Sequence, residues 1–239
     1  MSNHQILNSA DHGDLRVHTE AGAEFGDNVM ACLTVPLEFR QVQSHFPIVF
    51  RRDIGSGQFS AMALFGFEDG ENLYLEGGRW EARYRPLALT IHPFLIGRPA
   101  TEGGVAQVHI DLDHPRISSN GEGTRLFDES GNSTPYLEAM AEKLGDLDFG
   151  YQESAAFFAA LELHDLLEPF SLEVSLDDGS KHSLVGFHTI DEARLMALDG
   201  ETLHSLQSAG HLLQIYMAVA SLSQFAELVS RKNARAIGG

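Results

Sequence analysis

Short apolar segments separated by turn residues, between positions 45 and 98, constrain the fold of this chain most. Two of the separators are the Asp-Gly at 69–70 and the Gly-Gly at 77–78. The segments between them are rich in β-branched and aromatic residues, which is typical of strands joined by tight turns. The sequence therefore predicts a mainly antiparallel β region from 45 to 117.

The second half of the chain is predicted to be helical, from 134 to 232. Thr134 followed by Pro135 is typical of a helix start, and the Asp-Asp-Gly-Ser run at 177–180 is typical of a β-hairpin. A long C-terminal helix is predicted because apolar residues recur there at spacings of three and four. These residues are Leu212, Ile215, Val219, Leu222, Ala226 and Val229. The stripe indicates either a core helix packed on the sheet or the seam of a homodimer.

The predicted fold class is therefore α+β. An N-terminal, mainly antiparallel β region precedes a helical region, which contains a β-hairpin and a long apolar C-terminal helix. Residues 1–34 are polar and show no periodicity, so they are expected to form an irregular lead-in. A single domain is expected from 35 to 232, with residues 233–239 as a tail.

Charge and cysteine usage exclude several classes of protein. The chain has 34 Asp and Glu against 16 Lys and Arg, a formal net charge of −18, which argues against binding nucleic acid. No segment is predicted to span a membrane, and the N-terminus lacks the features of a secretory signal, so a cytoplasmic location is expected. Cys32 is the sole cysteine, and a buried, unreactive thiol is predicted.

Arginines gather between 79 and 85, and this segment is the predicted ligand- or partner-binding site. On a strand, Arg79, Arg83 and Arg85 would share one face, whereas Trp80 and Tyr84 would lie on the other. Such a row of arginines can bind carboxylate or phosphate groups bidentately. The site would therefore take a protein partner or a small anionic ligand. The alternative is an edge strand whose arginines only neutralise nearby acids.

A second candidate site is the His109-Ile-Asp111 sequence. His-x-Asp supplies two ligands of the facial triad in non-haem Fe(II) oxygenases, and residues two apart on a strand face the same side. The same alternation is typical of any half-solvated strand, and no distal histidine can be singled out as the third ligand. No cofactor is therefore favoured, Fe(II) is the alternative, and the catalytic residues of any enzyme activity stay unknown.

The β block and several later stretches resemble the SapC family, named after a protein associated with a paracrystalline surface layer. The resemblance extends from about 35 to 231 and includes the run from Gly123 to Asp128 and the pair Thr134-Pro135. It implies a non-catalytic accessory or binding protein in a cell-envelope or nutrient-uptake context. The alternatives are the Fe(II) oxygenase and a structural component of a surface layer. The latter would require export without an N-terminal signal.

Overall fold

The computed structural model describes residues 3–97 and 106–238, so residues 98–105 of the predicted β region lie outside the described residues. Its strands are β1 (His4–Ile6), β2 (Arg16–Val17), β3 (Ala31–Thr34), β4 (Ile48–Arg52), β5 (Phe59–Leu64), β6 (Leu75–Glu76), β7 (Arg79–Trp80), β8 (Phe94–Gly97), β9 (Gln107–Asp111), β10 (Thr124–Arg125), β11 (Leu167–Ser175) and β12 (Lys181–Ile190). Its helices are α1 (Ser9–His12), α2 (Phe39–Val42), α3 (Leu87–Thr90), α4 (Pro135–Leu163), α5 (Glu192–Met196), α6 (Gly200–Ser208), α7 (Leu212–Ser221) and α8 (Gln224–Gly238). The predicted α+β class is confirmed.

The chain divides into two compact units, each assembled from three separate segments. Unit 1 comprises Met1–Asn28, Leu75–Glu81 and Leu87–Phe149, and unit 2 comprises Val29–Tyr74, Ala82–Pro86 and Gly150–Gly239. Helix α4 therefore contributes its first half to unit 1 and its second half to unit 2.

Unit 2 is built on a five-stranded antiparallel sheet with the order β11-β12-β4-β5-β3. The predicted hairpin is confirmed, since β11 and β12 pair along their length. Phe50 on β4 packs edge-on against Phe157 and Phe158 of α4. Helix α7 packs against β4, β12 and α2, and its Ser221 hydroxyl accepts a hydrogen bond from the Ile48 backbone N–H at 2.9 Å. One side of this helix is therefore part of the core, and the predicted dimer seam stays an alternative for its exposed side.

Unit 1 contains a three-stranded antiparallel sheet, β1-β9-β8, and two short strand pairs, β2-β10 and β6-β7. Thr134 begins α4 as predicted, because its hydroxyl accepts the Leu137 backbone N–H at 3.4 Å. One buried apolar cluster joins the strands to this helix. It consists of Val17, Ile91, Phe94, Ile110, Leu126, Phe127, Leu137, Met140 and Leu144.

Two predictions about the chain ends were wrong. Residues 3–34 are not an irregular lead-in, since they supply β1, β2 and β3, which pair with β9, β10 and β5 respectively. These partners are distant in sequence, so local composition does not reveal the pairing. Residues 233–238 are not a tail either, because α8 continues to Gly238.

The predicted long C-terminal helix is interrupted twice. Gly210 adopts a left-handed φ of 78° after α6, a conformation that ends helices and suits glycine. Between α7 and α8, the hydroxyls of Ser221 and Ser223 bond back to the carbonyls of Ala218 and Ala220. These bonds compete with the helical hydrogen-bond pattern and accompany the break.

The segment Leu212–Ala236 meets the length and composition criteria for a membrane-spanning helix, with a mean hydropathy of 1.4. The sequence analysis, in contrast, predicted no membrane-spanning segment. Core helices of soluble proteins pass the same test, and here 22% of the tested window is buried. The apolar surface of this segment is therefore only partly covered by unit 2.

Candidate functional site

The arginine-rich segment does not form the predicted strand. β7 ends at Trp80, and it pairs only with the two residues of β6. Beyond Trp80 the chain bends, and residues 82–86 belong to unit 2, whereas Arg79 and Trp80 belong to unit 1. The prediction that Arg79, Arg83 and Arg85 form one row on a strand was therefore wrong.

The side chains of this segment lie in different environments. Arg79 is exposed, with its Nε 3.8 Å from Glu81 Oε1, and such exposed pairs contribute about 0–1 kcal/mol. Arg83 is also exposed, whereas Trp80 is half-buried. The role of these residues as a ligand- or partner-binding site stays a prediction.

Tyr84 is anchored on a buried carboxylate within unit 2. Its hydroxyl donates to Glu38 Oε2 at 2.9 Å, and the Thr34 hydroxyl donates to Glu38 Oε1 at 2.6 Å. Glu38 is only 4% exposed. Burial raises the pKa of Tyr84, and the charge of Glu38 raises this pKa further. The contact holds residues 82–86 against α2 and its preceding turn, and nothing in the local sequence predicted it.

This contact predicts a loss of stability in alkali. A tyrosine in the unfolded chain ionises near its ordinary pKa of 10.0, whereas Tyr84 in the folded chain stays protonated. The stabilisation is therefore present below about pH 10 and is lost as the pH rises, by at most about 1.4 kcal/mol per pH unit. Urea denaturation at pH 8 and pH 10.5 should show a smaller loss in Tyr84→Phe than in wild type or in Tyr151→Phe, a control because Tyr151 is 49% exposed. Equal losses in all three would contradict the assignment.

Cys32 lies in the same neighbourhood. Burial raises the pKa of its thiol, the charge of Glu38 raises it further, and the charge of Arg85 opposes both. The thiol is protonated at neutral pH, so it lacks the thiolate that a nucleophile requires. Cys32 is half-buried by its solvent exposure, so the predicted full burial is not confirmed, and its lack of reactivity stays a prediction.

His109 and Asp111 lie on β9 of unit 1, two residues apart. Asp111 Oδ2 is 3.7 Å from His4 Nε2 across the sheet, and Asp111 Oδ1 accepts the backbone N–H of Asp113 at 3.1 Å. The imidazole of His109 packs on Gly97, where an added Cβ would overlap it. Within residues 3–97 and 106–238, no group of three or more His, Cys, Asp or Glu side chains is arranged to hold a metal ion.

A cleft of about 580 Å³ lies in unit 1 between α1 and the segment that surrounds β10. Its volume falls within the range of small-molecule sites, roughly 300–1,000 Å³. Charged residues of both signs line it. They are Asp11, Asp14, Arg16, Arg125, Asp128 and Glu129.

Two arginines face each other across the strands that line this cleft. Arg16 on β2 is directly opposite Arg125 on β10, so both side chains project from the same face. Arg16 Nη1 donates to the Gly123 carbonyl at 3.1 Å, and Arg125 Nη2 donates to the fully exposed Asp14 at 3.2 Å. Arg125 Nε is buried and has no hydrogen-bond partner among the described residues. Like charges directly opposite each other are destabilising in a strand pair.

The acidic wall of the cleft is held in place by its own loop. The Asp128 carboxylate accepts the backbone N–H groups of Ser130 at 2.8 Å and Asn132 at 2.9 Å. The backbone hydrogen bond from Asn132 is the largest of several that lower the pKa of Asp128, so this carboxylate is ionised at neutral pH. The cleft therefore offers two cationic groups beside a fixed anionic wall.

Sequence reasoning missed this cleft. Arg125 and Asp128 fall within the Gly123 to Asp128 run that resembles the SapC family, and this was the available signal. Arg16 lies in a segment expected to be irregular, and no local pattern indicates that it faces Arg125.

The fold and the cleft define an α+β protein of two units, one of which carries a polar site of mixed charge. The model of the SapC family matches residues 7–228 of the 239-residue chain. The chain therefore belongs to the SapC family, as its sequence predicted. Neither a curated protein nor a solved structure matched the chain.

Proposed function

We propose that this SapC-family protein is a non-catalytic binding protein whose unit 1 cleft holds a small ligand with an anionic group between Arg16 and Arg125. The observation that carries the proposal is the facing pair of arginines, with a buried Nε that has no hydrogen-bond partner among the described residues. A carboxylate or phosphate oxygen placed there would offset the repulsion and accept charge-assisted hydrogen bonds.

The acidic residues that line the cleft restrict the charge of the ligands that it could bind. Asp128 and Glu129 would repel a molecule with several negative charges. A molecule with one anionic group and one cationic group, such as an amino acid, matches both walls. Binding of this kind suits the nutrient-uptake or cell-envelope context that the resemblance to SapC proteins implies. The cytoplasmic location and the arginine segment at 79–85 as a partner site stay predictions.

The proposal predicts that the substitution Arg125→Gln weakens ligand binding but does not lower the stability of the free protein. Without ligand, this variant should be as stable as wild type or slightly more stable, because a like-charge contact is removed. Binding should weaken about 10- to 100-fold, since a charge-assisted hydrogen bond contributes about 1.5–3 kcal/mol. Thermal-shift and calorimetric titrations with an amino-acid panel, inorganic phosphate and citrate would measure both effects.

The matched control is Lys143→Gln, which removes a cationic side chain of the same unit that does not line the cleft and should leave binding unchanged. Citrate should bind more weakly than the singly anionic ligands. If no member of the panel shifts the wild-type melting temperature and Arg125→Gln destabilises the free protein, the arginine pair is structural and the proposal fails.

A further inference from the structure

The surface of unit 2 includes a region without formal charge. From Thr202 to Ala226 the sequence contains no Asp, Glu, Lys or Arg, although the whole chain has a net charge of −18. These residues form most of α6, all of α7 and the start of α8. An uncharged surface segment of this length is a marked departure from the acidic character of the chain.

The two sides of α7 differ in burial. Ile215, Ala218 and Ser221 are buried toward the sheet. On the other side, Leu213 is 50% exposed and Tyr216 is 46% exposed, and Ala220 is exposed as well. These three residues follow the three- and four-residue spacing of a single helical stripe. These residues lie beside the apolar stripe that the sequence analysis identified, and we call them the outer α7 stripe.

We propose that the outer α7 stripe is the docking surface for a second copy of this chain in a two-fold symmetric dimer. In such a dimer the same surface of both copies meets itself. Wherever acidic surfaces met, the contact would bring like charges together, at a cost of several kcal/mol. The residues of α7 bring no formal charge of their own to such a contact, and Glu153 of α4 lies near the start of this helix, where its charge acts on His211.

The same charge argument disfavours a membrane as the occupant. Bacterial and other cytoplasmic leaflets are anionic, and membrane-surface helices carry lysine and arginine on the face beside their apolar stripe. The stretch from Thr202 to Ala226 has neither residue, and Arg231 and Lys232, which follow it in α8, are paired with carboxylates. A second copy, in contrast, brings an identical apolar stripe and no opposing charge.

The test compares the wild-type full chain with Leu213→Glu by light scattering coupled to size-exclusion chromatography and by sedimentation velocity. Wild type should dimerise, and Leu213→Glu should weaken dimerisation at least ~30-fold, because symmetry places two new carboxylates at one interface. Met196→Glu is the matched control, since Met196 is 80% exposed at the end of another helix of unit 2. This variant should dimerise like wild type.

Ionic strength provides a second readout. Two chains of −18 repel each other, so screening by salt should strengthen wild-type dimerisation between about 0.05 and 0.5 M NaCl. Circular dichroism melts should show that Leu213→Glu remains folded, and Tyr216→Gln serves as a second disrupting variant. The proposal fails if wild type is monomeric throughout, if Met196→Glu dissociates as Leu213→Glu does, or if a monomeric wild type binds phosphatidylcholine vesicles through Leu213.

Discussion

Replacing Asp27 by alanine should destabilise the protein by about 3–5 kcal/mol, the usual result of removing one partner of a buried ion pair. Arg116 is only 2% exposed, and its Nη2 donates to both oxygens of Asp27, at 2.7 and 2.8 Å. Without the carboxylate, Arg116 would keep a buried charge with no counter-ion at that position. Urea denaturation followed by circular dichroism would measure the loss.

The pair also holds a long segment of unit 1 in place. Arg116 Nη1 donates to the carbonyls of His18 and Glu20, and Asp27 accepts the backbone N–H of Gly22 at 3.0 Å. Asp14→Ala is the matched control, since its carboxylate is fully exposed and it bonds to Arg125 at the surface. It should change stability by less than about 1 kcal/mol. A loss below about 1 kcal/mol for Asp27→Ala would mean that Arg116 finds another counter-ion or reaches water.

Replacing Glu38 by alanine should cost about 3 kcal/mol in unit 2, since hydrogen bonds to charged groups contribute about 1.5–3 kcal/mol each. The hydroxyls of Thr34 and Tyr84 would both lose their acceptor. Glu38→Gln should cost less, because one amide oxygen can still accept. Chemical denaturation of the three proteins would rank them.

The control for this series is Glu153→Ala, which removes an exposed carboxylate from the unit 2 half of α4. It should be close to wild type. The double variant Glu38→Ala/Tyr84→Phe tests the pairing directly. It should be less destabilised than the sum of the single variants, because the second change removes the hydroxyl that the first leaves without an acceptor. Strict additivity would show that the two side chains act independently.

Local features of the fold could be predicted from the sequence, whereas long-range pairing could not. The hairpin around Gly179 and the helix start at Thr134 depend on a few neighbouring residues. Gly145 shows the limit of such patterns: glycine is typical of helix ends, but α4 continues through this one. Leu144 in unit 1 and Phe157 in unit 2 are both buried along α4, and their packing outweighs the cost of about 1 kcal/mol for a glycine inside a helix.

The same limit applies to the candidate site. Composition directed attention to the arginines at 79–85, because they stand out in an acidic chain. Arg16 and Arg125, in contrast, lie opposite each other because the two-residue strands β2 and β10 pair. These strands are distant in the sequence. Arg125 lies in the run that resembles the SapC family, whereas Arg16 belongs to no recognisable motif. The sequence predicted a site for an anionic ligand at residues 79–85, whereas the cleft that we propose as the site is visible only in the fold.

The interleaving of the two units determines when each can fold during synthesis. The central strand β4 pairs with β5 almost at once, but its other neighbour is β12, through contacts such as Phe187 with Arg51. During synthesis on the ribosome, one edge of β4 therefore stays unpaired until residues 187–188 of β12 have emerged. Unit 1 also needs residues up to Phe149 before its segments are complete. The sheet edge that β12 covers in the finished protein is therefore open to pairing with other chains during most of synthesis.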